Sequence, residues 1–357
     1  MELLKVIYIG RHGQREPTEV PEAYKQDWPN KGELTLKGAE GQYTKGTQMR
    51  TKYSEFFKLL QDSPKYIFCR TSDFGRNVDS AHYFLSGLFN LPFVFPITAG
   101  EEKFKVIRKY GNRLSKLACD VLYRSYFVNS SPAFASLYSS MHKAAEEKKE
   151  YFTELEPVVH KLKSTYGLNS VVMDYRGFFH LNDFLECYKA NDKPLPKEFT
   201  EADIKATSAM PYFTLYNITL AHETIRRVYN HYLFKELIKV INEPSRPFFY
   251  YFSGHYITMF AFLLGLGYVL PELTNYNTGI TIEVYKGTKG RFINIEYDEK
   301  NINKLLFPEL SSDYIPIEVL LEAMQKEKFK SDDEYKLYSG NKEFDYDRDF
   351  EESEIFN

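Results

Sequence analysis

Residues 3–17 read LLKVIYIGRHGQREP: an apolar run broken only by Lys5, then Gly10, then Arg11, His12 and Arg15 within five positions. An apolar run of this length, rich in β-branched and aromatic side chains and bounded by glycine, is the pattern of a strand buried on both faces. In an open α/β sheet, ligands sit outside the carboxyl ends of the strands. The stretch therefore predicts a first, buried strand and, at its exit, a cationic group where a ligand would lie.

Four further runs read as buried strands: KYIFCR at 65–70, PFFYYF at 247–252, GITIEVYK at 279–286 and RFINIEY at 291–297. GTKG, which joins the last two, is a hairpin signal. Between the first two strands, Leu36, Met49, Tyr53 and Phe56 recur at helical spacing, and DSAHYFLSGLF at 79–89 reads as a second helix. Strand, helix, strand, helix predicts the α/β class, with a mainly parallel sheet flanked by helices. Residues 101–230 are rich in Lys, Glu, Tyr and Ser, and they carry long helical runs and no clear buried strand. The expected organisation is an α/β core from 1–100 and 231–330, an inserted helical cap at 101–230, and an acidic, solvated extension at 331–357.

Composition narrows the function classes. The 357 residues are 43% hydrophobic and 17% aromatic, enough to bury a sizeable core. A formal net charge of -3 supplies no basic field for nucleic acid, so any anion site must be local. Cys69, Cys119 and Cys187 are too few and too scattered for a disulfide framework or a metal cluster, so no metal and no cofactor are expected. The opening MELLKVIYIG lacks a basic segment followed by a cleavable apolar run, so no secretory signal is expected in this chain, and the compartment stays open. Residues 247–270 carry no formal charge and are long enough to span a bilayer, yet SGH at 253–255 is turn chemistry. A buried strand, a turn and a helix are expected there, not a membrane span.

Three of the five strands end in a functional-looking group: the first in Arg11, His12 and Arg15, the second in Arg70, the third in His255. An Arg-His pair after one strand is as readily a capped turn. Three converging strand ends would instead put three arginines and two histidines around one point, and such a cluster repels itself unless an anion neutralises it. Planar guanidinium forks suit phosphate or carboxylate oxygens. Guanidinium neighbours hold an imidazole neutral at mildly acidic pH, where it is a competent nucleophile, and stabilise charge on a transferring phosphoryl group. The other six histidines read as ordinary structural residues.

LLKVIYIGRHGQREP resembles the signature of the histidine acid phosphatases, the branch 2 group that includes prostatic-type acid phosphatases and phytases. WPNKGELTLKGAEGQYTKGTQMRTKY (28–53), CRTSDFGRNVDSAHYFLSGLF (69–89) and YYFSGHYITMFAFLLGLG (250–267) resemble further family segments. The resemblance implies a phosphoglycerate mutase-like core with a helical cap, and a metal-independent phosphomonoesterase. It makes His12 the nucleophile that becomes phosphohistidine, gives Arg11, Arg15 and Arg70 to phosphate binding, and has His255 hydrogen-bond the same phosphate. The partner it implies is a small-molecule phosphomonoester or inorganic phosphate, with the chain a monomer or homodimer; family members are often secreted or lysosomal. A mutase-type transferase on the same core fits less well, because Arg15 and Pro17 follow the acid phosphatase pattern.

One position departs from that pattern. Family members usually carry Asp, or an Ala-Glu pair, directly after the second histidine, and that carboxyl group protonates the leaving oxygen. Here the residue is Tyr256, a phenol and a poor general acid at pH 5. Tyr256 is thus expected in the catalytic position with weakened activity, the alternative being a silent member that binds a phosphorylated ligand. Asp73 and Glu283 are the candidate substitutes.

Overall fold

The computed structural model describes residues 1–60, 66–72, 74–95, 157, 160–161, 175–213, 216, 223–243, 248–310 and 312–339. The elements run β1 (Glu2–Arg11), α1 (Leu36–Lys52), α2 (Ser54–Leu59), β2 (Ile67–Thr71), α3 (Gly75–Leu88), α4 (Tyr175–Ala190), α5 (Glu201–Phe213) and α6 (Glu223–Asn242). They continue with β3 (Phe248–Gly254), α7 (Tyr256–Gly265), β4 (Gly279–Gly287), β5 (Gly290–Tyr297), β6 (Lys300–Asn301), α8 (Asn303–Leu306), β7 (Ile315–Pro316), α9 (Ile317–Lys326) and α10 (Asp332–Ser339). All five expected strands are present.

They form an open sheet in the order β2-β3-β1-β4-β5-β6, with β7 beside β5. β3 lies between β1 and β2 and is parallel to both. β4 is antiparallel to β1, and the β4–β5 hairpin restores the first direction, so the sheet is mixed but mostly parallel. Alternating side chains fill two cores, as burial on both faces requires. Val6, Tyr8, Cys69, Phe249 and Tyr251 meet Met49, Tyr53, Phe56 and Phe84 from α1, α2 and α3 and the α1–α2 junction. Ile7, Ile9, Tyr250, Phe252 and Ile282 meet α6, α7 and α9 on the other face.

α1 and α3 cross with backbones in contact. A Cβ added at Gly46 would lie 2.0 Å from the Phe84 carbonyl oxygen, and one at Gly87 2.0 Å from that of Tyr43. α1 starts where Thr35 accepts a hydrogen bond from the Gly38 amide at 3.2 Å, an N-cap. Leu36, expected to join the buried stripe, is instead 48% exposed.

Two boundaries differ from expectation. The division at 230/231 falls inside α6, a single helix buried from Ile225 to Ile241 against the sheet, so the core begins before it. The acidic segment from 331 does not start as a solvated tail: Tyr335 of α10 is fully buried and stacks on His231 of α6, ring centroids 4.9 Å apart. The Phe329 amide donates to His231 Nδ1 at 3.2 Å, which leaves the ring proton on Nε2 to donate to Asp332 at 3.0 Å. Most of the expected cap and residues 340–357 lie outside the described residues. The charge-free segment 247–270 forms β3, a turn and α7, and no helix among the described residues is long and apolar enough to cross a membrane.

Candidate active site

The parallel register pairs Arg11 of β1 with Gly254 of β3, so His12 and His255 follow adjacent strand ends. The His12 amide donates to the Gly254 carbonyl at 3.1 Å, and the two imidazole centroids are 5.4 Å apart. On the other side of β3, the Ser72 amide donates to the Ser253 carbonyl at 3.1 Å, and the Ser72 hydroxyl shares a 2.9 Å hydrogen bond with His255 Nε2. The loop after β1 is pressed onto α1: a Cβ at Gly13 would sit 2.4 Å from the Gly38 carbonyl oxygen, and one at Gly38 2.1 Å from that of Gln14. The glycines of "RHG" and "LKG" are thus one contact, and it sets how His12 leaves the strand. The Gly13 amide donates to Ser80 of α3 at 3.0 Å, and Gln42 of α1 donates to the Arg11 carbonyl at 2.9 Å.

His12 is almost fully buried, and its Nδ1 lies 2.8 Å from the carbonyl oxygen of Gly13. A carbonyl can only accept, so Nδ1 carries the ring proton and Nε2 keeps its lone pair. Burial first, then the charges of Arg76, Arg11, His255 and Arg15, hold the His12 pKa well below the ordinary histidine value. His255 is lowered in the same way by burial, Arg76, Arg15 and Arg11. Each ring is therefore neutral without an anion, and an anion in the cluster would reverse the sign of the electrostatic part.

The arginines divide. Arg15 is held in a fork by Asp183 of α4, with contacts of 2.6 and 3.0 Å, and Asp183 also accepts from the Thr18 amide and hydroxyl at 2.9 Å. Burial alone would raise the Asp183 pKa; Arg15 and Thr18 outweigh it and keep the carboxylate ionised. The Arg11 guanidinium donates to the Thr274 carbonyl and lies between two rings, 3.8 Å from the Tyr276 centroid and 5.3 Å from that of Tyr256. Arg11 Nε and Arg15 Nε are buried donors with no hydrogen-bond partner among the described residues.

Arg70 is not brought to this point. In register with Phe252, it lies below the strand end and turns toward α6, where its guanidinium is 3.6 Å from the Glu236 carboxylate. Among the charges that lower the His255 pKa, that of Arg76 comes first. Arg76 stands in the first turn of α3, in the segment that also holds Arg70. Arg76 is thus a third guanidinium that acts on both histidines, while Arg70 turns to Glu236, and the cause is geometric: a residue inside a strand points to one sheet face, while the helix that follows starts above the strand ends. A signal was present, since arginine in a first helical turn opposes the helix dipole unless something anionic compensates it.

Tyr256, the first residue of α7, faces Arg11 from beside His255. Glu283 is removed from the cluster: it pairs with Val6, well inside the sheet, and accepts from Tyr53 at 2.6 Å, Asn294 at 2.8 Å and Tyr285 at 3.0 Å. Asp73 lies outside the described residues. Sequence reasoning missed Asp183 and also Tyr276, whose ring is 5.7 Å from that of His12; neither belongs to a motif. Among the described residues no group of three or more His, Cys, Asp or Glu side chains is arranged to hold a metal ion.

Residues 2–297 match the family model described as histidine phosphatase superfamily (branch 2). The chain is 26% identical over 311 residues to putative acid phosphatase 5 of Caenorhabditis elegans, covering 84% of this chain and 70% of that one. It is 29% identical over 211 residues to testicular acid phosphatase of Homo sapiens, covering 54% and 45%. In fold it is similar to the phytase from Citrobacter braakii, with a TM-score of 0.64 at 12% identity over 92% of this chain and 98% of that one.

Proposed function

The chain belongs to branch 2 of the histidine phosphatase superfamily, and from that premise we propose that it hydrolyses phosphomonoesters through a phosphohistidine formed on His12. The observation that carries the reading is the His12 tautomer: Nδ1 donates to Gly13 at 2.8 Å, so Nε2 offers a lone pair from within an arginine cluster. Nε2 attacks phosphorus in line with the ester oxygen. Arg11, Arg15 and Arg76 meet the charge on the equatorial oxygens, and His255 donates to one of them. Water then attacks the phosphohistidine, and phosphate leaves. Because burial and cations depress its pKa, His12 stays unprotonated at mildly acidic pH, which supports the acid phosphatase type. The reading needs no metal, since guanidinium groups supply the positive charge.

The test is hydrolysis of an aryl phosphate by the purified chain from pH 4 to 8, with His12→Ala as the blank. Enzyme given labelled ester and quenched in alkaline denaturant should retain label that is base-stable and is released by acid. Label that survives His12→Ala overturns the nucleophile. Tyr256 in place of the usual carboxyl supports one rival, a silent member that binds a phosphorylated ligand. A chain that turns over no monoester yet is stabilised against heat by millimolar phosphate would establish that rival.

A further inference from the structure

The segment between α7 and β4 forms one side of the site, and it is sewn to the loop after β1. The Arg11 amide donates to the Thr278 carbonyl at 2.9 Å, and the Asn277 amide donates to that of His12 at 3.4 Å. Gln42 of α1 donates to the Asn277 side-chain oxygen at 2.9 Å, and the Asn277 side-chain nitrogen donates to Gln14 at 2.7 Å. Asn277 has φ of 61°, a left-handed conformation that asparagine tolerates better than most residues. Tyr276 precedes this turn, half-buried, and its ring meets both site residues of the β1 end. Arg11 Cζ lies 3.8 Å over the ring centroid, and the His12 ring centroid is 5.7 Å away. The Tyr276 hydroxyl is 3.8 Å from the Cys187 sulfur, itself 3.8 Å from Arg15. The other histidine shows the same arrangement: Arg76 Cζ is 4.3 Å from the Phe74 ring centroid, and that ring is 5.3 Å from His255.

We propose that Tyr276 is a positioning residue of the anion site: its ring face holds the Arg11 guanidinium beside His12 and leaves the N–H groups of that guanidinium to bind phosphate. The proposal rests on the anion-binding part of the phosphatase reading above, and not on turnover. Arg15 is held by the Asp183 carboxylate, whereas Arg11 has no carboxylate partner among the described residues although it is only 9% exposed. A carboxylate there would neutralise the cation and compete with an incoming anion. A ring face attracts the cation through its quadrupole and takes up no N–H donor. Arg11 Nε is accordingly a buried donor without a hydrogen-bond partner among the described residues. The Tyr256 ring stands farther from Arg11, at 5.3 Å, so the closer ring carries the contact.

The experiment is isothermal titration with vanadate of wild type, Tyr276→Phe, Tyr276→Leu, Arg11→Met and the double variant Arg11→Met/Tyr276→Leu. Tyr276→Leu should weaken binding by roughly 5- to 30-fold, the range that a desolvated contact of cation and ring supplies. Tyr276→Phe keeps the ring and should stay within about twofold of wild type. In the Arg11→Met background, Tyr276→Leu should cost less than about twofold, because its partner is already gone. A merely structural role would weaken binding equally in both backgrounds, and that result overturns the proposal. So would an undiminished affinity in Tyr276→Leu or in Arg11→Met, or a loss in Tyr276→Phe equal to that in Tyr276→Leu, which would move the role to the hydroxyl and Cys187. Trifluorophenylalanine at position 276 keeps the ring's shape while weakening its quadrupole, so it tests the contact where leucine disturbs the fold. It should bind vanadate more weakly than Tyr276→Phe, and equal affinities overturn the proposal. A wild type that takes up no vanadate overturns this proposal and the phosphatase reading together, whereas a loss in Arg11→Met that Tyr276→Leu does not share overturns this one alone.

Discussion

Arg70 and Glu236 are both almost fully buried, with 3.6 Å between their charged atoms, so deleting the guanidinium removes a cation that faces a buried carboxylate. Arg70→Met should destabilise the fold by about 3 kcal/mol while the folded fraction binds vanadate as before. Arg76, half-buried at the start of α3, has the opposite expected profile. Arg76→Met should leave the melting temperature without anion within a few degrees and weaken vanadate binding at least tenfold, about 1.4 kcal/mol. Isothermal titration beside thermal unfolding separates the two, and a vanadate affinity that follows Arg70 would restore the original assignment. Arg11, His12 and His255 could be placed from the sequence because they stand where an apolar strand ends, with Arg15 in the loop that follows β1, and a strand end fixes where the next side chains go. Arg76 was obscured by a nearer arginine in the same segment.

The contact between α1 and α3 sets two rules against each other. Alanine in place of a mid-helix glycine favours an isolated helix by about 1 kcal/mol. At Gly46 the added carbon would lie 2.0 Å from the Phe84 carbonyl oxygen, backbone that cannot rotate away. Gly46→Ala should therefore destabilise by about 1–3 kcal/mol, as overpacking does, and a raised urea midpoint would refute the close approach. The same two helices carry Ser80 and Gln42, which bond the Gly13 amide and the Arg11 carbonyl, so the loosened variant should also lose turnover. Strands and helices were readable here because periodicity reports burial. Glycine contacts between helices were not, since a glycine within a helix looks the same in sequence whether or not another backbone touches it.

Across the whole molecule, two neutral histidines buried among arginines make the fold acid-sensitive. The folded pKa of His12 and of His255 lies below the unfolded value of about 6.5, so below that pH the unfolded chain binds more protons than the folded one. Their contribution to stability is fully present above that pH and lost as pH falls toward the folded pKa. Without anion the melting temperature should fall from pH 7 to pH 5. Saturating phosphate should flatten the fall, because a bound anion lets the rings accept protons in the native state. Parallel pH slopes with and without phosphate would refute this coupling. The sequence by itself determined the α/β class and the five principal strands, and put Arg11, His12 and His255 at the ends of β1 and β3, because continuous apolar runs and the points where they stop are local properties of the chain. Only the tertiary structure decided that Arg76 faces the histidines while Arg70 pairs with Glu236, that Asp183 holds Arg15, and that Tyr335 closes over His231. Each of these joins segments far apart in the chain, and no local pattern encodes which distant side chain will satisfy a buried charge.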